Sequence, residues 1–198
     1  MRHMRHAAWR DVPPPGLNRA EQRWIVQADS LTQALSATGR FRVICLQQNH
    51  GFATVDEWAS LGLPRRQRVW QRDVLLLLNE TPVIFAHTIL PAHATATDWP
   101  FFSHLGHRSL GSALFSDPLI TRQPLQFAQV SPQHTLNQRA QQAMRPFTSF
   151  TLSSTWARRS VFTRGAQAAP MLVTEVFLPN LFHDFLVQPK GAHHAFTK

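Results

Sequence analysis

Residues 69–91 read VWQRDVLLLLNETPVIFAHTILP, and this stretch decides the fold. Two apolar runs flank the segment 79–82, whose residues favour turns, so the stretch predicts an antiparallel β-hairpin. Side chains alternate between the two faces of a strand. Arg72 is therefore expected on one face together with four large apolar residues, which are Trp70, Val74, Leu76 and Leu78.

A second hairpin is predicted from residues 154–162 and 171–178, which are again rich in β-branched and apolar side chains. Alternation in the second of these strands puts Glu175 on one face with Met171, Val173 and Phe177. Glu175 thus resembles Arg72, because each is an ionisable residue on a strand face that otherwise reads as buried.

Shorter segments complete the expected fold. Capping pairs, Asn18 with Glu21 and Ser30 with Gln33, predict two short helices. The other predicted segments are a strand over 41–46, mostly loop over 47–68 with a helical turn at 56–59, short helices over 99–105 and 110–115, a broken strand over 119–130, and a surface loop or poorly packed helix over 131–144. We expect one α+β domain over 18–180, with a flexible lead over 1–17 and a loose tail over 181–198.

The charge balance is basic, with 20 Lys and Arg against 11 Asp and Glu in 198 residues and a formal net charge of +9. Such a balance can indicate nucleic acid as a partner, but the arginines are dispersed and no aromatic RNA-binding motif occurs. The longest apolar run, 74–78, is far shorter than the ~20 residues of a membrane helix. We therefore expect a cytoplasmic monomer with no nucleic-acid partner and no transmembrane segment.

A lone cysteine, Cys45, excludes an internal disulfide and predicts a small core residue.

Two interpretations of Arg72 and Glu175 are open from the pattern. Burying a charge is costly unless it is paired, so the two could form structural ion pairs with each other or with Asp73, Arg158 or Arg159. Alternatively, they line an apolar pocket in which the arginine binds a ligand carboxylate and the glutamate, whose protonated form burial favours, handles a proton.

The histidines and sequence motifs add little chemistry. His87 alternates with Phe85 and Ile89, which favours a hydrogen-bonded core histidine and leaves a pocket residue as the alternative. His104 and His107 lack a third ligand at metal-like spacing, so no metal is expected. No glycine-rich phosphate loop, GxSxG elbow or HExxH motif occurs, which argues against nucleotide cofactors, elbow-type serine hydrolysis and zincin chemistry.

Several stretches, taken in order, resemble a known family. They are 29–32 (DSLT), 72–76 (RDVLL), 88–91 (TILP), Leu105-Gly106, Leu110-Gly111, Leu114-Phe115, 156–160 (WARRS) and 172–179 (LVTEVFLP). Each is weak alone, but their joint order and spacing over 24–180 resemble the chorismate pyruvate-lyase family of the bacterial ubiquinone pathway.

The resemblance implies an antiparallel sheet with flanking helices that enclose a buried ligand site. It also implies conversion of chorismate to 4-hydroxybenzoate and pyruvate, without a metal or organic cofactor. Arg72 matches the family arginine that binds the ring carboxylate, and Glu175 matches the glutamate near the ring hydroxyl, which either orients the substrate or transfers a proton. Leu110 matches a residue whose backbone contacts the ligand.

Two positions depart from the family pattern. Leu31 falls where the family can carry a methionine, which keeps an apolar wall. His87 stands where the family can carry an arginine, so it is expected to bind the enolpyruvyl carboxylate only if it is protonated or acts as a neutral donor. The alternative to a lyase is a non-catalytic domain of the same fold that binds small anions as effectors, of the kind found in bacterial transcription regulators.

Overall fold

An antiparallel sheet organises the computed structural model, which describes residues 7–27 and 29–183. Its strands are β1 (Phe41–Phe52), β2 (Arg68–Leu78), β3 (Thr81–Pro91), β4 (Ile120–Arg122), β5 (Gln126–Val130), β6 (Thr155–Arg164) and β7 (Met171–Phe177). Within the described residues six of these seven strands run in the order β1-β2-β3-β7-β6-β4, and the seventh, β5, pairs with the start of β6.

Helices cover both faces of the sheet. They are α1 (Arg19–Ile25), α2 (Leu31–Ser36), α3 (Val55–Ser60), α4 (Ala94–Thr97), α5 (Leu110–Ser116), α6 (Thr135–Met144) and α7 (Asn180–His183), with one 3₁₀ turn at Phe102–His104. The predicted α+β class is therefore confirmed. No helix in the described ranges is both long and apolar enough to cross a membrane.

Both predicted hairpins are present. The turn between β2 and β3 contains two residues instead of the predicted four, because Asn79 and Glu80 adopt φ angles of 49° and 65°. Two consecutive residues of positive φ make a tight turn whose twist matches that of the flanking strands. The second hairpin pairs β6 with β7 and sets Arg158 opposite Glu175.

Alternation along the strands puts two of the four apolar clusters of the described residues on opposite faces of the sheet. One core contains Val74, Leu76, Ala86 and Phe177 together with residues of α1 and α2. The other lies on the opposite face and contains Leu75, Leu77, Phe85 and Val176 together with residues of α6. Arg72 lines one cavity together with Val74 and Leu76, and Glu175 lines it together with Val173, which agrees with the predicted grouping of these residues.

Local capping is also as predicted. Asn18 and Glu21 form a reciprocal capping box at the start of α1, and the Ser30 hydroxyl accepts a hydrogen bond from the backbone of Gln33 at the start of α2. These bonds satisfy backbone N–H groups that have no partner within the helix.

Two predictions of secondary structure were wrong. The strand predicted over 41–46 continues to Phe52, because residues 47–52 pair with β2 beyond a bulge between Cys45 and Gln47. Within the span 99–105, where a helix was predicted, the structure has a 3₁₀ turn at Phe102–His104, and α4 ends before this span. Asp98 ends α4, and its carboxylate accepts a hydrogen bond from the backbone N–H of Ala169.

Helix α6 packs more tightly than the sequence indicated. Its polar, glutamine-rich sequence predicts a surface loop or a poorly packed helix, but Leu136, Asn137, Ala140 and Met144 are buried. The Asn137 amide donates hydrogen bonds to the backbone carbonyls of Val130 and Ser153, at 3.2 and 2.8 Å. One buried amide therefore joins α6 to the chain on both sides of it.

The predicted lead and tail are only partly within the described residues. Arg10 exchanges two backbone hydrogen bonds with Phe127 of β5, and the Arg159 guanidinium lies 4.2 Å from the ring centroid of Trp9. These contacts place residues 9 and 10 against the sheet. Residues 1–6 of the predicted lead and 184–198 of the predicted tail lie outside the described residues.

We expect Asn137→Ala to lower the free energy of unfolding by about 1–3 kcal/mol, because the carbonyls of Val130, which is buried, and of Ser153 lose their donor. Gln138→Ala alters the exposed neighbouring position and is the matched control, expected to change stability by less than about 0.5 kcal/mol. Urea denaturation of both variants measures the difference. Equal stability of the two would show that the Asn137 amide does not fasten α6.

Candidate active site

A cavity lies between the helical cover and the face of the sheet that carries Arg72. Strands β2, β3, β6 and β7 form its floor, α2 and α5 form its roof, and β4 closes one side. Its walls are largely apolar, with Leu31 and Leu110 in the roof. Among the described residues, the ionisable groups that line the cavity are Asp29, Arg72, Arg122, Arg158 and Glu175.

Arg72 provides a buried cation at one end of the cavity. Its residue is 2% exposed, and its Nη2 donates hydrogen bonds to the backbone carbonyls of Gly106 and Arg108, at 3.0 and 2.9 Å. Within the described ranges, its Nε has no hydrogen-bond partner and no carboxylate forms an ion pair with it. Burial lowers the pKa of the Arg72 guanidinium, against the opposing influence of Cys45. A ligand carboxylate here would stabilise a charge that the protein leaves only partly compensated.

Glu175 provides a carboxylate at the other end. Its Oε2 accepts a 2.6 Å hydrogen bond from Arg158 Nε, and its side chain is 19% exposed. Arg158 Nη1 in turn donates to the backbone carbonyls of Ile25 and Gln27 at the end of α1. The ion-pair interpretation therefore holds for Glu175 with Arg158 and does not extend to Arg72. Glu175 is held in place by a guanidinium, so it is not the isolated carboxylate that the apolar pattern suggested.

The sheet register fixes the spacing of the two ends. Arg72 aligns with Thr88 of β3 and Val173 of β7, whereas Glu175 aligns with Ala86 and, through it, with Val74. Arg72 and Glu175 are two strands apart across the sheet and two residues apart along it. Their Cα atoms therefore lie about 12 Å apart. Both side chains line the cavity, so they reach it from separate positions on the sheet.

The two roof helices meet over the cavity. Thr32 Oγ1 and Ser109 Oγ lie 2.7 Å apart, which joins the first turn of α2 to the N-cap of α5. A Cβ atom at Gly111 would lie 2.5 Å from Thr32 Oγ1, so a larger residue there would have to displace the Thr32 side chain. The contact between Thr32 and Ser109 holds the two roof helices together above the cavity.

The structure brings together four of the five residues that the sequence selected. Leu31, Arg72, Leu110 and Glu175 line the same cavity. Arg122 also lines it, and sequence reasoning missed this residue. The signal was weak because β4 is only three residues long, which is too short for alternation to reveal which side chains point inward.

His87 lies on the opposite face of the sheet and does not line this cavity. Its Nε2 is 3.1 Å from Glu57 Oε1, its Nδ1 contacts an Asp73 carboxylate oxygen, and its side chain is 2% exposed. Arg139 completes the cluster at 3.5 Å from Asp73. Successive side chains of a strand point to opposite faces of the sheet. Because Ala86 and Thr88 both face the cavity, His87 between them points to the other face. The alternative of a core histidine is therefore the one that the geometry supports.

The ionisation of this cluster follows from its contacts. Burial would lower the pKa of His87, but Glu57 and Asp73 outweigh it and raise that pKa to about 9. Burial would raise the pKa of Glu57, but His87 and the Thr54 backbone lower it to about 2. The cluster thus holds an imidazolium between two carboxylates at neutral pH.

The remaining histidines form no metal centre in the described part of the chain. No group of three or more His, Cys, Asp or Glu side chains there could hold a metal ion. His107 Nδ1 instead accepts a 3.3 Å hydrogen bond from the backbone of Cys45.

Sequence comparison identifies the family. The family model described as "Chorismate lyase" matches residues 5–187. The chain belongs to the chorismate lyase family. It is 48% identical over 173 residues to a protein of Cupriavidus metallidurans named "Probable chorismate pyruvate-lyase", covering 87% of this chain and 79% of that protein. A protein of Ralstonia nicotianae with the same name is 44% identical over 87% of this chain and 89% of its own length.

Solved structures show the same fold at low sequence identity. The PhnF C-terminal domain has a TM-score of 0.56 at 14% identity, covering 77% of this chain and 89% of its own. The effector domain of PhnF from Mycobacterium smegmatis has a TM-score of 0.52 at 15% identity, covering 77% of this chain and 90% of its own. At such identities these likenesses establish the fold alone.

The His87 cluster predicts a pH dependence of stability. Because the folded-state pKa of His87 is raised above its usual 6.5, its contribution is complete below about pH 6.5 and is lost as the pH rises through about 9. We expect the free energy of unfolding to fall by on the order of 1–3 kcal/mol across this range in the unaltered protein.

The matched variant is His87→Gln, which should lack this decline because it has no proton to lose. Urea denaturation at intervals from pH 6 to pH 10 compares the two proteins. The same decline in both would assign the pH dependence to other groups.

Proposed function

We propose that this chain is a chorismate pyruvate-lyase, which converts chorismate to 4-hydroxybenzoate and pyruvate without a metal or organic cofactor. The observation that carries the proposal is the pairing, in one enclosed cavity, of a buried arginine that has no carboxylate partner among the described residues with an arginine-held glutamate. Family membership supports the same reaction. The ubiquinone pathway and a cytoplasmic location are parts of the proposal that follow from the family.

The two ends of the cavity suit the two ends of the substrate ring. Arg72 binds the ring carboxylate, which supplies a charge partner for a guanidinium that has no ion-pair partner among the described residues. Glu175, held by Arg158, accepts the hydrogen bond of the ring hydroxyl. The apolar walls of Leu31, Leu110 and Val74 pack against the faces of the ring and exclude water.

The reaction is an elimination in which the ring becomes aromatic. The ring C–O bond to the enolpyruvyl group breaks, and the ring carbon that bears the hydroxyl loses its hydrogen as a proton. The C–H electron pair becomes part of the aromatic ring, and enolpyruvate gains a proton at its methylene carbon to become pyruvate. Aromatisation drives the reaction, so the contribution of the protein is to orient the substrate and to stabilise the charge that develops on the departing oxygen.

Purified protein incubated with chorismate should release 4-hydroxybenzoate and pyruvate in equal amounts. Arg72→Gln should lower kcat/KM by roughly 30-fold or more, because truncating one partner of a buried charge pair costs about 2–5 kcal/mol. Glu175→Gln should lower kcat, because the amide no longer forms an ion pair with Arg158. The amide can still contact the hydroxyl.

The matched control is Arg42→Gln, which removes an exposed arginine of β1 that pairs with Glu80 and does not line the cavity. Its kinetics should equal those of the unaltered protein. Chorismate binding without turnover would favour the effector-domain alternative, and near-normal turnover in both cavity variants would contradict the assigned roles.

A further inference from the structure

Arg122 brings a further guanidinium to the cavity, and the roles assigned so far leave it without a function. It ends β4, where it aligns with Phe162 of β6, and its guanidinium lies 5.8 Å from the centroid of the Phe162 ring. Both residues line the cavity. Arg122 is therefore held beside the ligand space by an aromatic ring that itself faces that space.

By strand order, Arg122 of β4 is two strands away from β7, which carries Glu175, and four strands away from β2, which carries Arg72, so Arg122 lies on the Glu175 side of the cavity. Burial lowers the pKa of the Arg122 guanidinium, and so does the positive charge of Arg158, while Glu175 and Asp29 oppose the shift. Among the described residues that line the cavity, three carry a guanidinium group and two carry a carboxylate. An added anion at this end would relieve the repulsion between Arg122 and Arg158.

The other two cavity arginines are already engaged by Glu175 or matched to the ring carboxylate. Arg158 directs its Nε to Glu175 and its Nη1 to backbone carbonyls at the end of α1. Arg72 stands at the opposite end and is matched to the ring carboxylate. A substrate with two carboxylates needs a second cation near Glu175, and Arg122 is the cavity arginine placed to provide it.

The structure of chorismate matches this arrangement. The enolpyruvyl ether is attached to the ring carbon next to the one that bears the hydroxyl. When the ring carboxylate lies on Arg72 and the hydroxyl on Glu175, the enolpyruvyl carboxylate therefore extends from the Glu175 end towards one side. We propose that Arg122 binds this second carboxylate, an inference that rests on the proposed lyase function.

The proposal assigns Arg122 a role in distinguishing substrate from product. Chorismate carries both carboxylates, whereas 4-hydroxybenzoate retains only the one on the ring. Arg122 therefore contributes to substrate binding and aligns the C–O bond that breaks, but it makes no charge contact with the aromatic product. It is a substrate-positioning residue, whereas Arg72 binds substrate and product alike.

The experiment compares two ligands in Arg122→Gln. One is 4-hydroxybenzoate; the other is 3-(1-carboxyvinyloxy)-4-hydroxybenzoate, an aromatic analogue that keeps both carboxylates and cannot eliminate. We expect affinity for the analogue to fall about 10- to 150-fold, the usual effect of losing a hydrogen bond to a charged group. Affinity for 4-hydroxybenzoate should change less than about threefold, which also shows that the variant is folded.

Two further variants complete the test. Arg164→Gln removes an equal charge from β6 at a residue that pairs with Asp117 and does not line the cavity, so both affinities should stay unchanged. Arg122→Lys keeps the charge and should recover part of the analogue affinity, with KM for chorismate following the same order.

A fall of equal size for both ligands, or no fall for either, would overturn the assignment of Arg122. If Arg122→Gln does not fold, the Arg122→Lys protein decides, because an unchanged preference for the analogue over 4-hydroxybenzoate would contradict the inference. The proposed lyase function is tested separately, because it fails only if the unaltered protein releases no 4-hydroxybenzoate from chorismate.

Discussion

The burial of one positive charge on an apolar sheet face is the constraint on which the site depends. A guanidinium loses several kcal/mol of hydration when it is buried without a full set of partners. The carbonyls of Gly106 and Arg108 compensate Arg72 only in part. Because these carbonyls precede α5, the same two bonds draw the roof over the cavity. The cation that needs a ligand and the cover that encloses the ligand are therefore held together.

The alternation of side chains along the strands puts two charged clusters on opposite faces of the sheet. The clusters differ in whether their charges are balanced. On the face opposite the cavity, His87 lies between Glu57 and Asp73, and the three groups largely satisfy one another. On the cavity face, arginines outnumber carboxylates among the described lining residues. The first cluster stabilises the fold without a ligand, whereas the second retains positive charge that an anionic ligand can neutralise. One residue of register thus decides whether a polar side chain of β3 belongs to the core or to the site.

Short-range sequence patterns predicted much of the fold and several residues of the candidate site. Alternation within two hairpins placed Arg72 and Glu175 on apolar faces, and capping residues located α1 and α2, because each signal acts between residues close in the chain. The pairing of Arg158 with Glu175 was one of several possibilities until the β6–β7 register selected it. Arg122 and the burial of α6 were not predictable from pattern, since both depend on contacts between distant segments and on strands or faces with weak periodicity.

The most direct test of the central claim is a crystal structure of the protein with 4-hydroxybenzoate bound. We expect the product carboxylate within hydrogen-bond distance of the Arg72 guanidinium, at about 2.7–2.9 Å, and the phenolic oxygen at Glu175. A product molecule bound in the reverse orientation, or bound outside this cavity with Arg72 unchanged, would contradict the claim that the buried charge of Arg72 organises the site.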